Sequence, residues 1–151
     1  MITIGFIGTG LMGLPMAKNI LKSGFKLKAF NRSIEKAEPL KEFGAEISKS
    51  ISDVVNDSDF VITMLTDDSA VDAITSSTDF LDNLKSGSTV IDMSSVKPLQ
   101  LISLLQPKKL KKKSLRLMME VFPEKPLLLL QKQKFSLPNL KLLWLTIKMS
   151  S

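Results

Sequence analysis

Along the first 98 residues the apolar positions fall into two patterns that take turns. Short runs rich in β-branched and aromatic residues occur at Ile2, Ile4, Phe6 and Ile7, at Phe25 to Phe30, at Phe60-Val61-Ile62-Thr63-Met64-Leu65 and at Thr89-Val90-Ile91-Asp92. Each has the length and composition of a buried strand. Between the first two runs Met12, Met16 and Ile20 recur at the spacing of one helix face, and Lys22-Ser23-Gly24 supplies the glycine that ends such a helix. A further helical stretch is expected from Ile34, restarted at Pro39 and stopped at Gly44, and Ala45 to Ile47 allows a short third strand. Ser50 is placed to cap a helix running through Val55. Asp67 and Asp68 precede Ala70, Val71 and Ile74, where negative charge favours a helix start over an acid/base pair. Strands alternating with helices of these lengths predict an α/β fold, a doubly wound parallel sheet.

The turn between the first strand and the first helix carries the chemistry. Gly8-Thr9-Gly10-Leu11-Met12-Gly13 has the spacing GxGxxG, and Pro15 stands in the first helical turn, where a missing N–H costs nothing. Gly8 permits the tight turn, Gly10 removes a side chain where a pyrophosphate must approach the backbone, and Gly13 lets helix and strand lie close. The helix N-terminus directs free N–H groups and the positive dipole end at the phosphates. This is the pattern of a dinucleotide site.

Cofactor choice is read at the end of the second strand. A site for NAD usually places Asp or Glu there to accept from the ribose 2′-OH. Here the residues are Asn31-Arg32-Ser33. A guanidinium can grip a 2′-phosphate in a bidentate fork and a serine hydroxyl can add to it, so the site reads as NADP rather than NAD. In an open α/β sheet ligands sit beyond the carboxyl ends of the strands, which brings the loop after Leu65 and the Met93-Ser94-Ser95 turn to the same cleft.

Composition narrows the chemistry. The 151 residues include no cysteine and no histidine, which excludes disulfides, thiolate metal sites and an imidazole base. No apolar run has the length of a membrane span and no signal-peptide pattern opens the chain, so a cytoplasmic location is expected. The formal charge of +6 is unevenly held: residues 1–98 carry 10 Lys/Arg and 13 Asp/Glu, a net of −3, whereas residues 99–151 carry 11 Lys/Arg and 2 Asp/Glu, a net of +9. The last 53 residues contain 16 leucines and no Gly, Ala or Asp. Their basic cluster, Lys108, Lys109, Lys111, Lys112, Lys113 and Arg116, raises an alternative: a non-catalytic nucleotide-binding module whose tail contacts nucleic acid or a membrane surface. The cluster lacks the interleaved aromatics of a base-stacking surface. No specific nucleic-acid or membrane partner is expected.

Phe6-Ile7-Gly8-Thr9-Gly10-Leu11-Met12-Gly13-Leu14-Pro15-Met16-Ala17-Lys18-Asn19 resembles the opening signature of the β-hydroxyacid dehydrogenases. This group contains 3-hydroxyisobutyrate dehydrogenase, tartronate semialdehyde reductase and glyoxylate or succinic semialdehyde reductases. Asn31-Arg32-Ser33, Phe43-Gly44-Ala45-Glu46, Asp59 to Leu65 and Ile91-Asp92-Met93-Ser94-Ser95 follow in the family's order. The resemblance implies a Rossmann-type domain over residues 1–98. It further implies cofactor contacts from Gly8, Thr9, Gly10, Leu11, Met12, Gly13, Asn31, Arg32, Ser33, Leu65, Thr66, Ala70, Ser95 and Val96. Thr66 stands where many members have proline. The implied reaction is hydride transfer between NADP(H) and a small 3-hydroxy acid or its semialdehyde, with a lysine ammonium donating to the carbonyl oxygen.

After Pro98 the resemblance stops. The family's substrate motif, Asp-Ala-Pro-Val-Ser-Gly or Asp-Gly-Gly-Val-Ser-Gly, is not found in residues 99–151, and no lysine there stands in the family's catalytic context. No catalytic residue is therefore assigned. The sheet is expected to be truncated, followed by an atypical Leu/Lys-rich tail over 99–151 and without the all-helical substrate domain. The genetic code supplies a reason for the tail. Met118-Met119-Glu120 must be encoded ATG ATG GAR, and reading from the last base of Met118 gives GAT GGA, Asp-Gly. The codons of Glu120 through Glu124 can then read Gly-Val-Ser-Gly, restoring Asp-Gly-Gly-Val-Ser-Gly. Glycine, alanine and aspartate all need codons beginning with G, and a displaced frame accounts for their joint absence. Residues from about Leu99 onward are expected to be translated out of frame, from a gene that has lost one nucleotide or gained two near Lys97-Pro98.

Overall fold

The computed structural model describes residues 1–94 and 116–119. Its elements in chain order are β1 (Thr3–Ile7), α1 (Gly13–Lys22), β2 (Lys26–Phe30), two 3-10 segments (Ile34–Lys36 and Glu38–Phe43), β3 (Glu46–Ile47), α2 (Ile51–Val55), β4 (Phe60–Thr63), α3 (Asp68–Thr75), α4 (Thr78–Leu81), β5 (Thr89–Asp92) and β6 (Arg116–Met119). The strands form one sheet in the order β3-β2-β1-β4-β5-β6, and every neighbouring pair is parallel. Strand order reverses at β1, which pairs with β2 on one side and β4 on the other. This is the doubly wound Rossmann-type arrangement expected from the alternation of patterns, with the switch point beside the glycine turn.

Period-two alternation sends successive strand residues to opposite faces, and each face has its own apolar layer. Ile4, Phe6, Leu27, Ala29, Phe60, Ile62 and Ile91 pack with Met16, Ala17 and Ile20 of α1 and with Leu40. On the other face Ile7, Val61 and Val90 pack with Val54 and Val55 of α2, Phe80 of α4 and Leu84. Gly5 belongs to this second face: a Cβ there would lie 2.7 Å from the Val54 carbonyl oxygen and 2.9 Å from Ser58 Oγ, so its missing side chain lets α2 close onto β1.

The helix starts follow the capping residues. Ser50, Asp67 and Ser77 accept from the backbone N–H of Asp53, Ala70 and Phe80 respectively, capping α2, α3 and α4. Between Ile34 and Phe43 the structure departs from the expected helix. The chain makes two 3-10 segments broken at Ala37, the second opening with Pro39 near its start and closing on Gly44 at φ 89°. Short length and a proline leave no room for a continuous α-helical ladder. β6 is drawn from the stretch after Pro98, and pairs from Thr89↔Arg116 to Asp92↔Met119.

Asp59 fastens the entry of β4 to the start of β1. Its Oδ2 accepts from the Thr3 N–H at 3.0 Å and its Oδ1 from Lys85 Nζ at 2.6 Å. Partial burial raises its pKa, but the Lys85 and Thr3 hydrogen bonds outweigh that and hold the carboxyl below the usual range.

Candidate functional site

The carboxyl ends of β1, β2, β4 and β5 lie along one edge of the sheet, and the residues expected to bind a cofactor gather there in two groups. The first is built by the glycine turn and the end of β2. Gly8 has φ +100° and its N–H donates to the Phe30 carbonyl at 2.9 Å, tying the turn to β2. A Cβ on Gly8 would run into the Met64 carbonyl, and one on Gly13 into the Gly8 carbonyl. These two glycines are required by the protein's own packing. Gly10 is different: it is exposed, its φ lies outside the left-handed region, and nothing stands within 4 Å of the position its Cβ would take. The vacancy is a cradle open to a ligand that must approach the backbone.

α1 also differs from the other helices at its start. Met12 occupies its N-cap and no side chain caps the start; the Leu14 N–H donates to the Gly10 carbonyl at 3.0 Å and Pro15 carries none, which leaves the Gly13 N–H and the positive end of the helix for an anion. Leu11 and Met12, 97% and 59% exposed, project from the turn rather than into the core. Thr9 is buried, and its hydroxyl has no hydrogen-bond partner. Its N–H donates to Asn31 Oδ1 at 3.0 Å, while Asn31 Nδ2 donates to the Ser33 carbonyl at 3.0 Å. Arg32 is exposed, and no ion pair among the described residues engages it. Ser33 stands at the N-cap of the first 3-10 segment, but its hydroxyl makes no capping bond.

The second group lies at the ends of β4 and β5. Asp92 is almost wholly buried, and its Oδ1 accepts from Thr63 Oγ1 at 2.6 Å, from Ser94 Oγ at 2.7 Å and from the Ser94 N–H at 3.2 Å. The Ser94 hydroxyl in turn accepts from the Leu65 N–H at 2.9 Å. The loop carrying Leu65 and Thr66 is thereby locked to the end of β5. Thr66 is exposed and donates to Asp67, and the Ala70 N–H is taken by the Asp67 cap. Ser95 and Val96 lie outside the described residues, as do Lys108, Lys109, Lys111, Lys112 and Lys113 of the basic cluster, while Arg116 opens β6. Sequence patterning passes over the Asp92 network. Its signal is an acidic residue closing an apolar strand opposite Thr63, itself a hydroxyl inside an apolar strand.

Burial pushes the Asp92 carboxyl above its ordinary range, against the Thr63 and Ser94 hydrogen bonds that pull it down, and its Oδ2 is buried without a partner. A carboxyl raised on folding contributes its stability below the unfolded value of 3.8, and that contribution is lost as pH rises through the folded value. Asp92→Asn removes the ionisation. Urea unfolding of both proteins across pH 4 to 8 should show the variant gaining on the parent as pH rises, and a pH-independent difference would contradict the assignment.

No group of three or more acidic, His or Cys side chains able to hold a metal occurs among the described residues, and no described helix is long and apolar enough to cross a membrane. The residues present fit a dinucleotide: an open cradle at Gly10, a helix α1 that starts without a side-chain cap, and Arg32 with a free Ser33 hydroxyl beyond β2.

The family model described as the NAD binding domain of 6-phosphogluconate dehydrogenase matches residues 3–119. Glyoxylate/succinic semialdehyde reductase 1 of Arabidopsis thaliana is 36% identical over 94 residues, covering 62% of this chain and 32% of that protein. Human mitochondrial 3-hydroxyisobutyrate dehydrogenase is 36% identical over 96 residues, 63% of this chain and 29% of that protein. The chain thus spans about a third of the length of these curated relatives. Among solved structures, 3-hydroxyisobutyrate dehydrogenase of Mycobacterium tuberculosis with L-serine superposes with a TM-score of 0.70 at 25% identity, over 79% of this chain and 40% of that one. A reductive aminase of Aspergillus terreus in complex with NADPH and ethyl-5-oxohexanoate gives 0.62 at 27% identity, over 78% and 39%.

Proposed function

We propose, from the premise that this chain belongs to the β-hydroxyacid dehydrogenase family and carries its NAD(P)-binding domain, that the dinucleotide it takes is NADP(H). The observation that carries this choice is the end of β2, where Arg32 is exposed without an ion-pair partner among the described residues and the Ser33 hydroxyl makes no capping bond. The uncapped start of α1 and the cradle at Gly10 would hold the pyrophosphate, and Arg32 with Ser33 would hold the 2′-phosphate. When bound, the nicotinamide supplies the hydride chemistry. Asp92 and Ser94 fix the Leu65 loop that would border it. Arg32→Ala should weaken NADPH binding by about 1–3 kcal/mol, roughly 5- to 150-fold, and leave NADH nearly unchanged. Calorimetric titration of both proteins with both cofactors tests this, and equal affinities in the unsubstituted chain would refute it.

The substrate class we assign to the family form is a small 3-hydroxy acid or its semialdehyde, in keeping with relatives named for 3-hydroxyisobutyrate and for glyoxylate/succinic semialdehyde. With the sequence it has after Pro98, the chain is proposed to bind cofactor without turning such a substrate over. The frame reading accounts for this. β6 supports it, because it ends at Met119, where the displaced frame begins Asp-Gly, and its C-terminal end lies beside Asp92, on the edge that carries the site. The gene should therefore encode Glu120 as GAG, Val121 as GTG, Phe122 as TTT and Pro123 as CCG. Sequencing that finds other third bases removes the restored motif, and residues 99–151 then stand as written.

A further inference from the structure

The half of the cleft formed by β4 and β5 holds one buried charge that its own network leaves half used. Asp92 is the last residue of β5 and is almost wholly buried. Val90, two residues before it, packs with α2 and α4, so Asp92 shares that face of the sheet. Thr63 Oγ1, Ser94 Oγ and the Ser94 N–H all donate to its Oδ1, which favours the ionised carboxyl against the cost of burial. Oδ2 is buried without a partner. No ion pair among the described residues engages Asp92. The surrounding sequence explains why, since residues 50–94 hold nine aspartates and a single lysine, Lys85. Lys85 is bonded to Asp59 ahead of β4, at the other end of the strands, and Arg116 opens β6 beside Thr89 at that same far end.

A dinucleotide laid across the switch point brings the ribose of its adenosine to the end of β2, so its nicotinamide comes to the half built by β4 and β5. The oxidised ring is a cation and the reduced ring is neutral. A carboxylate in low-dielectric surroundings, with no counter-charge of its own, separates these two states and acts alike on the rest of the cofactor, which both share. We propose that Asp92 is a specificity determinant for the oxidation state of the cofactor, its carboxylate favouring the cationic ring of NAD(P)⁺ over the neutral ring of NAD(P)H. Asparagine isolates the charge from the shape. It is nearly isosteric, and its Oδ1 can accept from the same three donors. The inference rests on the dinucleotide site and is indifferent to the choice of NADP(H) over NAD(H).

The test is a titration of the full chain, Asp92→Asn and Asp92→Ala with the oxidised and reduced forms of both cofactors at pH 8, with thermal unfolding followed in parallel. The quantity read is the ratio of dissociation constants, reduced over oxidised. It should fall roughly tenfold from the parent to Asp92→Asn, for the NAD and the NADP pair alike. Asp92→Ala should lower it as far, and carries the comparison if the asparagine variant does not fold. Asp79→Asn removes an exposed charge from α4, where solvent screens it, and should leave the ratio as it is in the parent. Neutral variants that weaken both forms equally, or neither, would overturn the inference and leave Asp92 as a brace for the Leu65 loop alone. A ratio that falls as far in Asp79→Asn would overturn it in favour of the overall charge of the domain. A parent that binds NADH and NADPH equally refutes the NADP(H) reading and leaves this inference standing. A parent that binds neither cofactor overturns both.

Discussion

Gly13→Ala should abolish measurable cofactor binding and destabilise the domain by about 3 kcal/mol, the upper end for forcing atoms into a packed site. The added Cβ would overlap the Gly8 carbonyl oxygen and sit 3.2 Å from Phe6 Cε1. The first of these is backbone at the base of the turn and cannot swing aside as a flexible side chain would. Relief requires α1 to move off β1, which carries the uncapped helix start away from the cradle at Gly10. Gly10→Ala is the internal contrast. Its Cβ meets nothing within 4 Å, so unfolding should be little changed while dinucleotide binding is lost. Chemical denaturation and cofactor titration on the two variants separate fold from site. Equal stability losses in both would contradict this division of labour between the glycines.

Phe6→Ala should cost about 3–5 kcal/mol, the range for emptying a buried aromatic site. Phe6 is fully buried on β1, with Ala29 of β2 and Ile62 of β4 as its register partners, and it belongs to the layer beneath α1. Because β1 lies inside the sheet, the cavity would open under the glycine turn rather than at an edge that could collapse. Against a whole-domain stability of about 5–15 kcal/mol this is a large share, and the variant should unfold at markedly lower denaturant. A loss below about 1 kcal/mol would mean that α1 settles into the space.

Much of this fold was readable from sequence because local signals agreed with one another. Phe60, Val61 and Ile62 form an unbroken apolar run and, with Thr63, are buried on both faces, the pattern of an interior strand. Ser50 and Asp67 cap where their residue types say they should. The glycine turn was readable for the same reason, since each glycine meets a separate steric demand or opening. What escaped was non-local. Nothing adjacent to Asn31 announces that its amide reaches back 22 residues to Thr9, and nothing beside Asp92 announces a bond across 29 residues to Thr63. The 3-10 character of residues 34–43 escaped for a different reason. Composition there permits a helix, and the break comes from a proline and the brevity of each piece.

The strand order carries a consequence for how damage spreads through this molecule. Every strand built from residues 1–94 is seated before β6 is reached, and β6 touches the sheet along β5 alone. A change within β6 therefore meets the described sheet at one margin only. Three strands, β2, β1 and β4, then lie on or inboard of the wall that carries the glycine turn and Arg32, and none of them borders β6. The half of the cleft that would grip phosphates shares no strand pairing with β6. The half beside Leu65 and Ser94 stands one strand away from it.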